Sequence, residues 1–194
     1  MSRNMTLIAL VLLAAFSRLV PHEPNFAPIA GMALFGAANF RNRWLAFLVP
    51  LAAMFLSDLA LGCAVHLGVY SGWMAHTEGL HKGSFVIYAT FAAITAMGFV
   101  LRKNRALPLL AGTTLAGSVI FFLTTNFAVW VLGEGDMYPF TLDGLVTCYV
   151  QAIPFFHRTL AGDVFYVSLL FGCFALAERR YPSLRPALAP VPNE

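Results

Sequence analysis

Long apolar runs separated by short polar loops dominate the pattern of this chain. A membrane-spanning helix needs about 20 mostly apolar residues, and six runs approach or exceed that length. They predict transmembrane helices at residues 5–20, 26–40, 44–62, 85–101, 107–132 and 159–177. The second run is short and rich in alanine and glycine, which is typical of membrane helices that pack closely against their neighbours.

A seventh segment, residues 142–156, is apolar but contains Asp143, Gln151 and Pro154. Charge and proline inside an apolar run disfavour a full membrane crossing. We therefore expect this segment to be a separate helix that lies at the membrane interface or dips into the bilayer. The sixth spanning helix then starts at Thr159, which could cap it.

The basic residues orient the predicted bundle, because cytoplasmic loops are enriched in lysine and arginine. Six crossings with the N-terminus in the cytoplasm place nine of the twelve basic residues inside. The outer side then holds Arg18, Lys82 and Arg158. The fold class predicted is therefore all-α, a six-helix polytopic bundle of a bacterial inner (plasma) membrane with both termini cytoplasmic. Residues 1–181 form one domain, and residues 182–194, with four prolines, form a disordered cytoplasmic tail.

Composition agrees with a membrane protein and excludes several other classes. The chain is 59% hydrophobic and 11% charged, whereas soluble domains carry about 25% charged residues. The net charge of +3 is small and falls on a few loops, so no nucleic-acid-binding patch is expected. The three cysteines and five histidines show no disulfide or metal-ligand spacing. We expect no metal and no cofactor.

Polar residues in or near the predicted spans form the candidate site. Charged groups within a membrane are costly and are functional candidates by default. Under the six-helix topology all of these residues fall on the outer side, and the inner half has no matching set. That distribution disfavours a channel or a proton relay and favours capture of a small molecule at the outer face. The candidate substrate-binding residues are Arg18, His22, Asn25, Asp58, Asn126, Arg158 and Asp163.

The partners of these charged and amide side chains can be predicted only in part. Buried charges need partners, so the two arginines and two aspartates should pair, in an arrangement that the sequence does not specify. Thr124 and Thr125 can bond back to carbonyls one turn earlier. We expect Asn126 instead to face a polar cavity and to find a partner on another helix.

Several motifs carry a family resemblance. They are PHEPNFAPIAGMALFGA, WLAFLVPLAAMFLSDLALG, LAGSVIFFLTTNFAVW and AIPFFHRTLAGDVFYVSLLFG. Over roughly residues 5–178 the chain resembles a family of uncharacterised bacterial membrane proteins described only as transport proteins. That family is similar to the substrate-binding S components of energy-coupling-factor (ECF) transporters. The resemblance implies a vitamin-like solute bound from outside, release by toppling of the bundle, and either an energising ATPase module or solitary action.

One departure concerns the energising partner. S components commonly present an alanine pair at four-residue spacing on the first helix, whereas here Ala9 is followed by Leu13. Two other functions also stay open. The polar cluster could simply lock a structural or assembly subunit, or His22, His157 and Asp163 could supply acid and base groups to a membrane enzyme. A cavity with Asn126 and Asp163 on its wall favours binding, and a filled, ion-paired core favours a structural role.

Overall fold

The computed structural model describes residues 2–76, 79–133 and 135–185, and all regular secondary structure in these ranges is helical. Short 3-10 turns follow α1 (Ser17–Leu19) and α4 (Phe99–Arg102), and another, Gly72–His76, lies in the loop after α3. This confirms the all-α prediction. The α-helices are α1 (Arg3–Phe16), α2 (Ile29–Asn39), α3 (Arg43–His66), α4 (Ser84–Gly98), α5 (Leu107–Leu132) and α6 (Leu142–Arg180).

Within the described ranges, four helices are long and apolar enough to cross a membrane: α3, α4 with its 3-10 extension, α5 and α6. Their outward faces carry large apolar side chains such as Leu48, Leu123 and Leu169. Exposed apolar surface on this scale is rare in soluble monomers and suits contact with lipid. The protein is therefore membrane-embedded. The remaining helices are shorter, with 14 residues in α1 and 11 in α2.

Helix α2 is the centre of the bundle. All of its residues are buried, and it packs against each of the other five α-helices. Its small side chains permit this close packing. A Cβ added at Gly31 would lie 2.8 Å from Cβ of Tyr166, and one at Gly36 would lie 2.7 Å from Cγ of Pro50. At about 1.5 Å per residue, α2 is only about 16 Å long, so it cannot cross a bilayer alone.

Three arginines bind the C-terminal end of α2. Its last carbonyls have no partner within the helix, and guanidinium groups from α1, the turn after α4 and the loop before α5 take that role. We call this side of the bundle the arginine end. Burial lowers the pKa of Arg105, and the nearby charge of Glu178 partly offsets that effect. The bonds, between 2.7 and 3.3 Å long, run from Arg102 to Ala37 and Phe40, from Arg105 to Ala38 and from Arg3 to Asn39.

The prediction that residues 142–156 form a separate segment is wrong. The segment is the first part of one helix of 39 residues, about 58 Å long. Thr141 rather than Thr159 caps it, with Oγ1 accepting a hydrogen bond of 3.1 Å from the Gly144 N–H. Asp143 lies in the first turn, where a negative charge is favourable. Pro154 removes one backbone donor, and a long helix tolerates that loss.

The start of the predicted disordered tail is ordered. Pro182–Leu184 form a 3-10 turn, and Leu184 is buried. Arg185 Nε donates to the Glu178 carbonyl at 3.1 Å, which ties the turn back to the end of α6. The rest of that prediction concerns residues 186–194, which lie outside the described residues.

The packing of α2 predicts opposite effects for two glycine-to-alanine changes. Gly31→Ala should lower the melting temperature by several degrees, because overpacking costs about 1–3 kcal/mol and outweighs a gain in helix propensity of about 1 kcal/mol. Gly112→Ala on α5 is the control, since its new Cβ would meet no described atom within 4 Å, and it should be neutral or stabilising. Thermal unfolding in detergent measures both. Equal melting temperatures for the two variants would contradict this packing.

Candidate functional site

A cavity of about 200 Å³ lies at the N-terminal end of α2, away from the arginine end. Four of the predicted polar residues line it: Arg18, His22, Asn25 and Asp163. We call it the polar cavity. Its other walls are mainly apolar and come from the start of α2 and the loop before it, from α3, α4 and α5, and from the loop after α3. They include Ile29, Met54, Leu61, Trp73, Met74, Ile87 and Phe121.

The loop from Pro21 to Pro28 carries the chain into the bundle without a helix. Residues that precede proline avoid the α region, and three prolines in this loop keep it open. Asn25 has φ +65°, a left-handed conformation that asparagine tolerates better than most residues. The Phe26 N–H bonds the Glu23 carbonyl at 3.2 Å across this turn. Helix formation is delayed until Ile29, so the first turn of α2 lies beside the cavity.

Asp163 faces that first turn. It is 2% exposed, its Oδ1 accepts from the Ala30 N–H at 3.1 Å and its Oδ2 accepts from Ser118 Oγ at 2.6 Å. Gly162 allows the approach, because a Cβ there would lie 3.1 Å from the Ala27 nitrogen. A carboxylate at a helix N-terminus is favourable because the helix dipole is positive there.

Arg18 pairs with Asp58, which resolves one pairing that the sequence left open. Nη1 lies 2.6 Å from Oδ1 of Asp58 and also donates to Ser57 Oγ at 2.8 Å. Tyr88 donates to the other carboxylate oxygen at 2.5 Å. Asp58 is thus satisfied on both oxygens and lies behind Arg18. Because Arg18 lines the cavity, the pair presents its guanidinium, rather than its carboxylate, to that space.

Arg158 does not pair with an aspartate. Its Nη1 lies 3.2 Å from Oε2 of Glu23, and the two side chains are 35% and 71% exposed. The expectation that Arg158 completes a buried cluster with Asp58 and Asp163 is therefore wrong. Exposed pairs of this kind contribute about 0–1 kcal/mol. Arg158 lies at the rim rather than in the polar cavity.

Asn126 also departs from its prediction. Its Nδ2 donates to the Phe122 carbonyl one turn earlier at 2.8 Å, so its bond stays within α5. Thr124 and Thr125 form the back-bonds predicted for them. Asn126 lines a second cavity of about 240 Å³. The two cavities adjoin, since both are lined by Asn25, Ile87, Phe121 and Thr159.

The loop after α3 covers one side of the polar cavity. Trp73 and Met74 lie on its wall, and Met74 is buried. The rings of His22 and Trp73 meet edge to face with centroids 5.7 Å apart. Tyr70 donates to the Leu19 carbonyl at 2.8 Å, which fixes the loop to the end of α1. This position suits a cover over the site better than a purely interfacial aromatic belt.

Sequence reasoning missed two partners of the acidic residues. Ser118 bonds Asp163, and Tyr88 bonds Asp58. Both were visible as polar groups inside otherwise apolar helices, where an unpaired donor is costly. In the described part of the chain no buried side-chain nitrogen or oxygen lacks a hydrogen bond. The buried polar groups around the cavity are therefore held by hydrogen bonds.

The two ion pairs predict different stability effects. Asp58→Asn should destabilise the fold by about 3–5 kcal/mol, because it leaves Arg18 charged and largely buried without a counter-ion. Glu23→Gln, which breaks the exposed pair with Arg158, should shift the melting temperature little. Thermal unfolding of both variants in the same detergent measures the contrast. A stable Asp58→Asn protein would show that the buried pair is unimportant for the fold.

Comparison with known proteins adds a family and no function. No curated protein and no solved structure matches the chain. One family profile matches residues 1–184, and it is described as a family of unknown function, DUF6580. That range includes every α-helix of the bundle and all the residues that line the polar cavity. Because the match covers nearly the whole chain, the protein belongs to the DUF6580 family.

Proposed function

We propose that the protein is a membrane transport protein that binds a small solute in the polar cavity. The observation that carries the proposal is a partly open cavity, inside a membrane-embedded bundle, onto which a buried carboxylate faces. Ligand sites commonly combine apolar walls with a few fixed polar groups, and this cavity has both. Its volume of about 200 Å³ is below the usual range of about 300–1,000 Å³. A compact, vitamin-like solute fits it best, with the adjoining cavity as additional room.

The same proposal includes six crossings of a bacterial inner membrane with both termini in the cytoplasm. Arg3 and Glu178 form an ion pair of 2.7 Å, so the two ends of the described chain meet at the arginine end. Arg102 and Arg105 lie there too, and positive residues favour the cytoplasmic side. In this topology α2 and the extended loop before it together make the second crossing, and the polar cavity faces outward.

Fusion reporters test the topology. Green fluorescent protein fused after Lys103 or after Arg185 should fluoresce, because both sites lie inside. Alkaline phosphatase fused after Gly68 or after Gly135 should be active, because both sites lie outside. Active phosphatase after Arg185 would require an odd number of crossings and would contradict the six-crossing topology.

We also propose, more specifically, that the protein works as an ECF S component does, capturing the solute outside and releasing it through movement of the whole bundle. The sequence likeness, the chain length and the six-helix order support this. The partner would be an energising ATPase module, or none if the protein acts alone. Solute uptake that persists in cells lacking every such module would remove the partner from the proposal.

The alternatives have less support. A structural or assembly subunit accounts for the satisfied Arg18–Asp58 pair, but it leaves the cavity beside Asp163 without a role. A membrane enzyme would need its acid and base groups together. His22 and Asp163 line the polar cavity, whereas His157 is exposed and is absent from its wall. Binding is therefore the function that the geometry favours.

A bound solute can be sought directly in purified protein. Protein extracted in mild detergent should carry a small molecule that mass spectrometry detects after denaturation. Thr159→Trp should reduce that signal at least tenfold, because Thr159 lines both cavities and an indole ring would fill the space between them.

Val150→Trp is the matched control for this experiment. It lies on the same helix, is 55% exposed and points away from the core, so it should retain the wild-type signal. A profile of small molecules that is the same in wild-type, Thr159→Trp and Val150→Trp protein would contradict a solute site in these cavities.

A further inference from the structure

The charges around the polar cavity do not balance. Arg18 and Asp58 neutralise each other at 2.6 Å. Asp163 is a second acid, and no lysine or arginine lies within ion-pair distance of it among residues 2–76, 79–133 and 135–185. Arg158 is the basic residue nearest to Asp163 in sequence, and it forms its ion pair with Glu23 at the rim instead. Among the described residues, the cavity wall therefore holds one acidic side chain that no lysine or arginine pairs with.

The groups that do contact Asp163 compensate only part of its charge. One is the neutral hydroxyl of Ser118, and the other is the Ala30 N–H in the first turn of α2. A helix N-terminus acts as roughly half a positive charge. An ionised carboxylate this deeply buried normally needs a closer counter-charge. Asp163 lines the polar cavity, so a counter-charge can approach it from that space.

The carboxylate also has unused hydrogen-bonding capacity. Its two oxygens offer about four lone-pair sites, and each oxygen accepts one described hydrogen bond. Since Asp163 lines the cavity, a donor that enters can reach it. Ser118 and Ala30 fix the orientation of the carboxylate before any solute arrives, which lowers the cost of ordering the site on binding.

We propose that the polar cavity selects a small organic cation, with a positively charged N–H group that donates to Asp163 and an apolar or ring-bearing body against Met54, Ile87 and Phe121. This inference rests on the proposed solute-binding function and names the chemical class of the solute. An anionic solute is disfavoured, because Arg18 is already neutralised by Asp58 while Asp163 would repel it. Charged N–H groups form the stronger class of hydrogen bond to a carboxylate.

Three probes of one shape test the charge preference: benzylammonium, benzyl alcohol and benzoate. Each has a single ring and a short polar arm, and their charges are positive, neutral and negative. Their affinities for the full chain in detergent can be measured by calorimetry and by thermal shift. Benzylammonium should bind at least tenfold more tightly than benzyl alcohol, and benzoate should bind most weakly.

Variants then assign the preference to one residue. Asp163→Asn keeps one acceptor oxygen for the Ala30 N–H, and its amide N–H can donate to Ser118 Oγ, but it removes the charge. Benzylammonium should therefore lose at least tenfold in affinity while benzyl alcohol changes little. Glu23→Gln, which removes a carboxylate at the rim, should leave all three affinities unchanged. Ser118→Ala removes one bond to Asp163 but keeps its charge, so the cation preference should survive.

The outcomes separate this inference from the solute-binding proposal. Equal binding of benzylammonium and benzyl alcohol by wild-type protein would overturn the cation preference and leave solute binding standing. A preference for benzoate would do the same. Failure of all three probes to bind would overturn the cation preference. Solute binding itself would be overturned only if purified wild-type protein also carried no small molecule detectable by mass spectrometry. If Asp163→Asn fails to fold, the wild-type order of affinities and the Glu23→Gln and Ser118→Ala variants still decide the question.

Discussion

The structure depends on satisfying both ends of a short helix that is buried from end to end. Lipid offers no hydrogen bonds, so every backbone group inside the membrane needs a partner in the protein. Helix α2 ends in the interior at both sides, and its terminal groups would otherwise be unpaired. Asp163 supplies an acceptor at the first turn. Three arginines supply donors at the last turn.

This constraint explains why the other helices are arranged as they are. Asp163 reaches α2 only because Gly162 lets α6 lie against the loop backbone. Arg3 reaches it only if the start of α1 is near the end of α6, where Glu178 holds the same guanidinium. The loop before α2 must enter the bundle as extended chain, and that loop cannot fill its space as a helix would. The polar cavity is the space beside it.

The sequence predicted the parts of this fold that follow from apolar length. α5 has the predicted bounds, and α3 and α4 differ from prediction by a few residues at each end. The predicted break between residues 142–156 and the last spanning helix was wrong, because Asp143, Gln151 and Pro154 were interpreted as ending a helix. Asp143 lies in the favourable first turn, and a proline costs one bond in a helix that forms many. A local sequence pattern does not show how many polar residues or lost hydrogen bonds a long helix can tolerate.

Four of the seven candidate residues lie together at one cavity, whereas the sequence did not predict which of the charged residues pair. Arg18, His22, Asn25 and Asp163 line one cavity, as their shared position in the predicted topology suggested. Which acid pairs with Arg18 depends on the packing of α1 against α3, which no spacing in the sequence encodes. Asn126 formed a bond within its own helix, because its side chain can reach a carbonyl one turn earlier as the threonines do. The basic residues were used in the sequence analysis only to predict topology, but three of the arginines also bind the end of α2.

The two ends of α2 are compensated unequally, and the difference supports the proposed solute site. At the arginine end, positive charge exceeds what a helix C-terminus needs, but guanidinium groups there lie close to the bundle surface and Glu178 balances part of it. At the cavity end, the Asp163 carboxyl group meets the helix N-terminus and one hydroxyl, and no described lysine or arginine forms an ion pair with it. The Ala30 N–H needs an acceptor but not a full negative charge, so stability alone does not require an acid at this position. A solute that supplies the missing charge would bind against the first turn of the helix whose last turn the arginines hold. Occupancy of the cavity and the position of α2 would then be linked through one rigid element.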